Sequence, residues 1–185
     1  MRAVLIYSMS VSVDGFISDR DGGFDWSAPD EELFRFHIEE VRGLGGFLLG
    51  RRLYETMLVW ETDRSFVVSD DDEAFADLWA ALPKVVFSRT LGRVEGHARL
   101  AERSLAEEAA RAAEATDRDV GIGGAGLAGQ AIALGLVDEL RMYRCPIAVG
   151  GGTPFLPPVA DAVALELVET RPFGSGVVLE RYRRA

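Results

Sequence analysis

The sequence predicts an α/β fold: a mixed, mainly parallel central sheet with helices on both faces, ending in a C-terminal antiparallel hairpin. Three observations point to it. Short apolar runs alternate with helical patterns through most of the chain. Gly, Pro and Asp clusters punctuate the joins. The last two strand candidates, "AVALELVE" and "GVVLERYR", are separated by "TRPFGS", a connection that suits a hairpin. The 185 residues, 48% hydrophobic, suit one domain over 1–185. A chain this long buries about 70% of its unfolded surface.

Residues 3–13, "AVLIYSMSVSV", alternate with period two. Ala3, Leu5, Tyr7, Met9, Val11 and Val13 share an apolar face, while Val4, Ile6, Ser8, Ser10 and Ser12 share the other. The serines leave room either for a ligand or for a covering helix. "DRDGGFDW" reads as a loop, after which Ser27 is expected to cap a helix with Pro29 in its first turn and Asp30, Glu31 and Glu32 at the positive end of its dipole. Leu33, Phe36 and Val41, flanked by Phe34 and Ile38, form its apolar stripe, and Gly43, Gly45 and Gly46 end it. "GFLLG" is a buried strand and "RRLYETM" a helix. Acidic "SDDDEAF" opens a helix that runs to about Leu82, where Pro83 stops it. "KVVFS" is a strand and "SLAEEAARAAEA" an amphipathic helix of strong helix formers. "DVGIGG" is a short strand, "LAGQAIAL" a helix and "DELRMYRCPI" a strand.

The formal net charge of −10 argues against a nucleic-acid partner, which demands clustered cations. No apolar run approaches the roughly 20 residues of a membrane helix. A cytoplasmic setting is expected. One cysteine, Cys145, permits no internal disulfide and reads as a packed thiol. His37 and His97 lie far apart and form no metal-ligand spacing, so no metal is expected; His37 falls in a helical pattern as a surface or boundary residue.

"GIGGAGLAGQAIALGL" contains G-x-G-x-x-G at Gly121, Gly123 and Gly126. A Rossmann fingerprint needs a substantial strand before it and an acid about 20 residues later. Here the strand is short and Asp138 and Glu139 come too early, so the Rossmann reading fails. Gly123 and Gly124 still allow close backbone approach, and a helix beginning near Ala125 offers unpaired amides to an anion. A tight strand-to-helix turn explains the same glycines equally well. Two further stretches favour the anion. "LLGRRLYE" sets Gly50, Arg51 and Arg52 where a strand becomes a helix, and "FSRT" sets Ser88 and Arg89 just past another strand. Arginine forks match phosphate oxygens, and open α/β sheets bind ligands at the strands' C-terminal edge.

The ordered pieces "SMSVSVDGFIS", "DW", "GRRLYE", "FSRT", "GGAGLAGQAIALGLVDEL" and "PIAVGGGTPFL" resemble the dihydrofolate reductase-like superfamily. Within it, the chain is most similar to the branch holding the reductase domain of riboflavin-biosynthesis deaminase-reductases and their stand-alone bacterial homologues. The resemblance spans nearly the whole chain and implies a dihydrofolate reductase-like three-layer fold. It implies NADPH as cofactor, with Arg51, Ser88 and Arg89 on the adenosine 2′-phosphate beside Gly50 and Arg52. Gly123, Gly124, Ala125 and Gly126, with Leu127 in the same turn, would carry the pyrophosphate. Ser10 would border the nicotinamide, with Asp14 and Gly15 in the loop beyond and Gly150, Gly151 and Gly152 in a second turn. The proton-donating carboxylate falls on Glu32 when Leu33 and Phe36 are aligned with the family's apolar pair, and on Asp30 or Glu31 when counted from Pro29. All three also suit a helix start without any chemistry. Trp26 and Glu31 would wall the substrate pocket. Leu53 replaces the hydroxyl residue of the family's "GR-x-T-x-E" pattern. No paired-cysteine signature of a zinc deaminase is present.

The expected activity is NADPH-dependent hydride transfer to a small pterin- or ribosylaminopyrimidine-like heterocycle or sugar-linked imine, by a homodimer. The alternative is a protein that senses or sequesters NADPH without turnover.

Overall fold

The period-two alternation of the first segment becomes a central strand. In the computed structural model, which describes residues 3–185, β1 spans Leu5–Ser12 and β2 Phe16–Ser18. They are followed by α1 (Glu31–Arg42), β3 (Leu44–Gly50), α2 (Arg51–Met57), α3 (Val59–Thr62) and α4 (Asp70–Ala81). Next come β4 (Lys84–Phe87), β5 (Ala98–Leu100), α5 (Leu105–Glu114), β6 (Asp119–Gly123) and α6 (Ala125–Ala133). The chain closes with β7 (Glu139–Cys145), β8 (Thr153–Pro154), β9 (Leu165–Pro172) and β10 (Val178–Arg184).

Eight strands form one sheet in the order β5-β4-β3-β6-β1-β7-β10-β9. The first six are mutually parallel, and β10 and β9 join antiparallel as the expected hairpin. Two carboxylates set the start of β1: Asp119 Oδ1 accepts from Val4 N at 3.1 Å and Asp138 Oδ2 from Leu5 N at 2.9 Å. One face of β1 carries Leu5, Tyr7 and Val11 into a core with Leu105 and Ala109 of α5 and Leu127, Ala128 and Ala131 of α6. Tyr7 is fully buried there, stacked on Phe155 at 4.4 Å and donating its hydroxyl proton to Phe155 O. The opposite sheet face is covered by α1, α2 and α4 through Ile38, Tyr54, Phe75 and Trp79 on Leu49 and Val86. A third cluster packs Leu33 of α1 against Tyr143, Phe173 and Leu179 near the hairpin.

Local chemistry explains most boundaries. Ser104 and Glu107 form a reciprocal capping box at α5. Ser69 caps α4, and the helix ends just before Pro83. At α1 the cap differs from the sequence expectation: Asp30 Oδ1 accepts from Leu33 N at 2.9 Å, whereas Ser27 closes a 3₁₀ turn and donates to Phe24 O. Pro29 is the cause, because it drives the preceding residue out of the helical region, and Ala28 is extended at ψ 124°. The short strands β2, β5 and β8 were not expected. Each has only two or three residues and exists through its partner, β5 beside β4 and β2 beside β8.

Two ion pairs, each with a buried carboxylate, bind the helical layers to the sheet. Lys84 Nζ donates to Leu82 O at 2.9 Å and meets Glu61 Oε1 at 3.0 Å, with the two side chains 1% and 6% exposed. It also lies 5.0 Å from the Trp79 ring centre, and Glu61 accepts from His97 N. On the other side, buried Glu108 takes both arms of Arg99 and the amides of Glu102 and Arg103.

Removing one partner of a buried pair strands the other charge. Lys84→Ala is expected to lower unfolding free energy by about 3–5 kcal/mol, read as a lower urea midpoint. The Glu108 carboxyl is held down to about 2, chiefly by the hydrogen bond from Arg99 and against the opposing effect of burial. Because its folded value is depressed, this stabilisation is complete above the ordinary glutamate range and is lost as pH falls toward 2. Urea midpoints measured over that acid window should fall less steeply for Glu108→Gln than for the parent.

Candidate active site

A cleft of about 1500 Å³ opens at the C-terminal ends of the central parallel strands. Three strand-to-loop or strand-to-helix turns contribute its polar rim: Gly50–Arg52 after β3, Ser88–Arg89 after β4 and Gly124–Leu127 after β6. An aromatic lobe formed by Phe34, Trp60, Phe75 and Trp79 completes one wall. These rings contact one another, with Trp60 and Phe75 at 4.8 Å.

The glycines meet a geometric demand at this edge. Gly124 has φ +93° and precedes α6, and a Cβ there would lie 3.5 Å from Gly50 Cα. The ends of β3 and β6 therefore approach backbone to backbone. Gly123 is the buried last residue of β6 rather than a wall of the cleft, because Leu53 covers it: a Cβ on Gly123 would stand 2.2 Å from Leu53 Cδ2. Leu53 is thus an apolar cover over the end of β6. Gly126 faces open space, and the first-turn amides of α6 have no partners within the helix. Ala125, Gly126, Leu127 and Gln130 line the cleft from that end.

The arginine turn is organised by hydrogen bonds. Arg51 Nη1 donates to Thr90 Oγ1 at 2.6 Å and its Nε to Glu55 Oε1 at 2.8 Å. Ser88 Oγ accepts from the amides of Thr90 and Leu91, which closes the loop after β4, and the Arg51–Thr90 bond ties that loop to α2. Among the described residues Arg52 and Arg89 form no ion pair, so both guanidinium groups at the cleft lack a carboxylate. Arg103 adds a further cation to the lining.

The floor is the β1–β7 region of the sheet. Ser8 and Ser10 line it, paired in register with Arg141 and Tyr143. Ser12 instead turns inward, accepting from Phe16 N and donating to Asp14 Oδ1 at 2.6 Å. Asp14 does not line the cleft: it accepts from the amides of Val149 and Gly150 and so clasps the glycine turn 150–152 to the end of β1. The Ser12 hydroxyl, with these amides, keeps the Asp14 carboxyl below its ordinary range.

The acidic start of α1 lies outside the cleft lining. Asp30 is committed to its cap, Glu32 accepts from Gly174 N of the hairpin connection at 2.9 Å, and Glu31 is exposed beside Arg35. Trp26 packs with Phe36 against the Leu33–Tyr143–Phe173 cluster, its Nε1 buried without a hydrogen-bond partner. The helix instead turns Phe34, His37, Glu40 and Val41 toward the cleft. Glu40 Oε1 accepts from Arg141 Nη1 at 2.7 Å, its Oε2 accepts from the Tyr143 hydroxyl, and His37 Nδ1 stands 3.6 Å from Oε2. Burial works to raise the Glu40 carboxyl, but His37, Tyr143 and Arg141 together hold it below its ordinary value. Burial and the Glu40 charge push the Tyr143 phenol well up. Sequence reasoning passed over this cluster. Its only linear trace is His37 and Glu40 three apart on one helix, since the cross-sheet partners come from β7.

Comparison with known proteins agrees with this architecture. The RibD C-terminal domain model matches residues 3–179. The chain is 30% identical over 179 residues to the uncharacterized protein YyaP of Bacillus subtilis, covering 94% of this chain and 91% of that one. Among solved structures it is similar to a putative riboflavin biosynthesis protein from Shewanella, with TM-score 0.77, 20% identity, and 98% and 99% of the two chains covered. It is also similar to a diaminohydroxyphosphoribosylaminopyrimidine deaminase/5-amino-6-(5-phosphoribosylamino)uracil reductase from Thermotoga maritima, with TM-score 0.66 and 18% identity. All of this chain matches there, over 57% of the longer one. A pyrimidine reductase-like protein from Corynebacterium diphtheriae gives TM-score 0.62 at 15% identity, with 99% and 92% covered. The six-strand parallel core, the closing hairpin and a family match over nearly every residue lead to one assignment: this chain belongs to the RibD C-terminal domain family.

Proposed function

We propose that the protein is an NADPH-dependent reductase acting on a small heterocyclic or sugar-imine substrate of the pterin or ribosylaminopyrimidine kind. One observation carries this reading: three turns distant in sequence bring glycine amides and guanidinium groups to the rim of a single cleft. Membership of the RibD C-terminal domain family supports it.

The residues fit the cofactor. Arg51, with Ser88 and Arg89, is the seat for a 2′-phosphate, and Gly50 and Arg52 flank it. The open amides at the α6 start, with open space where a side chain on Gly126 would stand, form a cradle for a pyrophosphate. Ser10 borders the nicotinamide side on the sheet floor. Asp14 acts indirectly, by holding the glycine turn. When bound, the reduced nicotinamide supplies a hydride to an electron-poor carbon. The aromatic lobe around Trp60 and Phe34 suits the flat ring of a heterocycle, and it excludes water from the reacting carbon. A homodimer in the cytoplasm accompanies the reading, on family membership alone.

Titration of the purified protein with NADPH and NADH, followed by tryptophan fluorescence, tests the assignment. A hydrogen bond to a charged group contributes about 1.5–3 kcal/mol, so Arg51→Gln or Arg89→Gln is expected to weaken NADPH binding roughly 10- to 100-fold and leave NADH binding nearly unchanged. No uptake of NADPH, or equal affinity for the two nucleotides in the parent and both variants, rejects it.

A further inference from the structure

We infer that His37 is the proton donor of the cleft and that Glu40 is its positioning residue, an inference that rests on the reductase reading. A two-electron reduction of a C=N or C=O group needs a proton at the heteroatom, and few groups on the cleft lining are able to supply one. Arg51, Arg52, Arg89, Arg103 and Arg141 keep their protons throughout the neutral range. Glu55 is tied to Arg51. Glu40 is held ionised by Arg141 and Tyr143, so it has no proton to give. Tyr143 is pushed the other way and retains its proton. His37 is the lining residue whose side chain ordinarily changes charge near neutral pH.

The geometry gives the imidazole a direction. Its Nδ1 faces Glu40 Oε2 at 3.6 Å, and its ring stands edge-on to Tyr143 at 4.5 Å. Nε2 makes no hydrogen bond among the described residues, and the side chain is 24% exposed. The charged neighbours facing the ring are Glu40 on its own helix and the Arg141–Tyr143 pair from β7. Arg141 is in turn fixed by Glu139, so the carboxylate beside His37 is braced from the sheet. Orientation by a fixed carboxylate is the usual way an imidazole nitrogen is aimed at a reacting atom.

The step balances. The His37 Nε2–H bond breaks and an N–H or O–H bond forms on the substrate heteroatom. That atom takes the π pair of the C=N or C=O bond as the carbon gains hydride from NADPH. The substrate gains two electrons with the hydride that the bound cofactor would supply, and the imidazole regains its proton from water.

Two measurements test this. Imidazole resonances are followed by NMR from pH 5 to 9, with His37 identified by the signal that disappears in His37→Gln. The His37 Nδ1 resonance is expected to shift in Glu40→Gln, which loses the carboxylate 3.6 Å away, and to return toward the parent position in Glu40→Asp. A His37 ring whose resonances are unmoved by Glu40→Gln overturns the inference without touching the cofactor reading. NADPH oxidation with a ribosylaminopyrimidine or a pteridine is then measured against pH. The parent rate should fall toward alkaline pH, and His37→Gln should be about 10²- to 10⁴-fold slower and lack that alkaline limb. An unchanged alkaline limb in His37→Gln overturns the proposal. Loss of NADPH binding in the parent, seen in the separate titration, is instead failure of the reductase reading.

Discussion

Two glycines on one face of β6 set the architecture of the cleft. Gly121 and Gly123 of β6 point toward the α1–α2 side of the sheet, where a Cβ on Gly121 would lie 2.4 Å from the Phe47 ring and one on Gly123 2.2 Å from Leu53. The absent side chains let a neighbouring strand and helix lie against bare backbone. Phe47 then fills the space over β6, Leu53 anchors α2, and the arginine turn at Gly50 comes to rest beside the amides that start α6. A side chain on Gly123 would displace Leu53 and with it α2, and one on Gly121 would displace the Phe47 ring of β3.

Charge is distributed by task in this acidic protein. Several carboxylates are spent on structure: Asp119 and Asp138 align β1, Asp14 clasps a turn, and Glu108 gathers a guanidinium and two amides. Glu139, almost fully buried, is surrounded by Arg141, Arg181 and Arg183. That hub joins β7 to β10 and, through Arg141, reaches Glu40 on α1. Guanidinium groups at the rim are different in kind. Among the described residues Arg52 and Arg89 lack carboxylate partners, in a chain of formal charge −10, and they line the same cleft as the turn that starts α6.

Much of the fold was legible because local rules acted alone. The alternation of "LIYSMSVS", the strong helix formers of "SLAEEAARAAEA" and the Pro83 stop each predict what is observed. So did the hairpin, although β9 continues to Pro172, inside the expected connection. The three anion-competent turns were visible as strand ends followed by Gly, Ser and Arg, and the structure brings them to one cleft. Failures came where one local rule overrode another or where a distant partner decides. Ser27 and Asp30 are both good cap residues, and the extended residue before Pro29 chose between them. The acidic helix start looked chemical by resemblance. Its carboxylates are occupied by the cap and by Gly174, a contact 142 residues away in sequence. His37 and Glu40 gave a weak linear signal because Arg141 and Tyr143 reach them only once β7 lies beneath α1.

Lys84 leaves the molecule with an unusual surface. The sequence has a single lysine, and its ammonium is enclosed by Glu61 and by the carbonyls at the end of α4. Acylating and crosslinking reagents that seek lysine side chains therefore find none accessible while the fold is intact. Modification at that position becomes a covalent record of the moment when α3 and α4 lift away from the sheet.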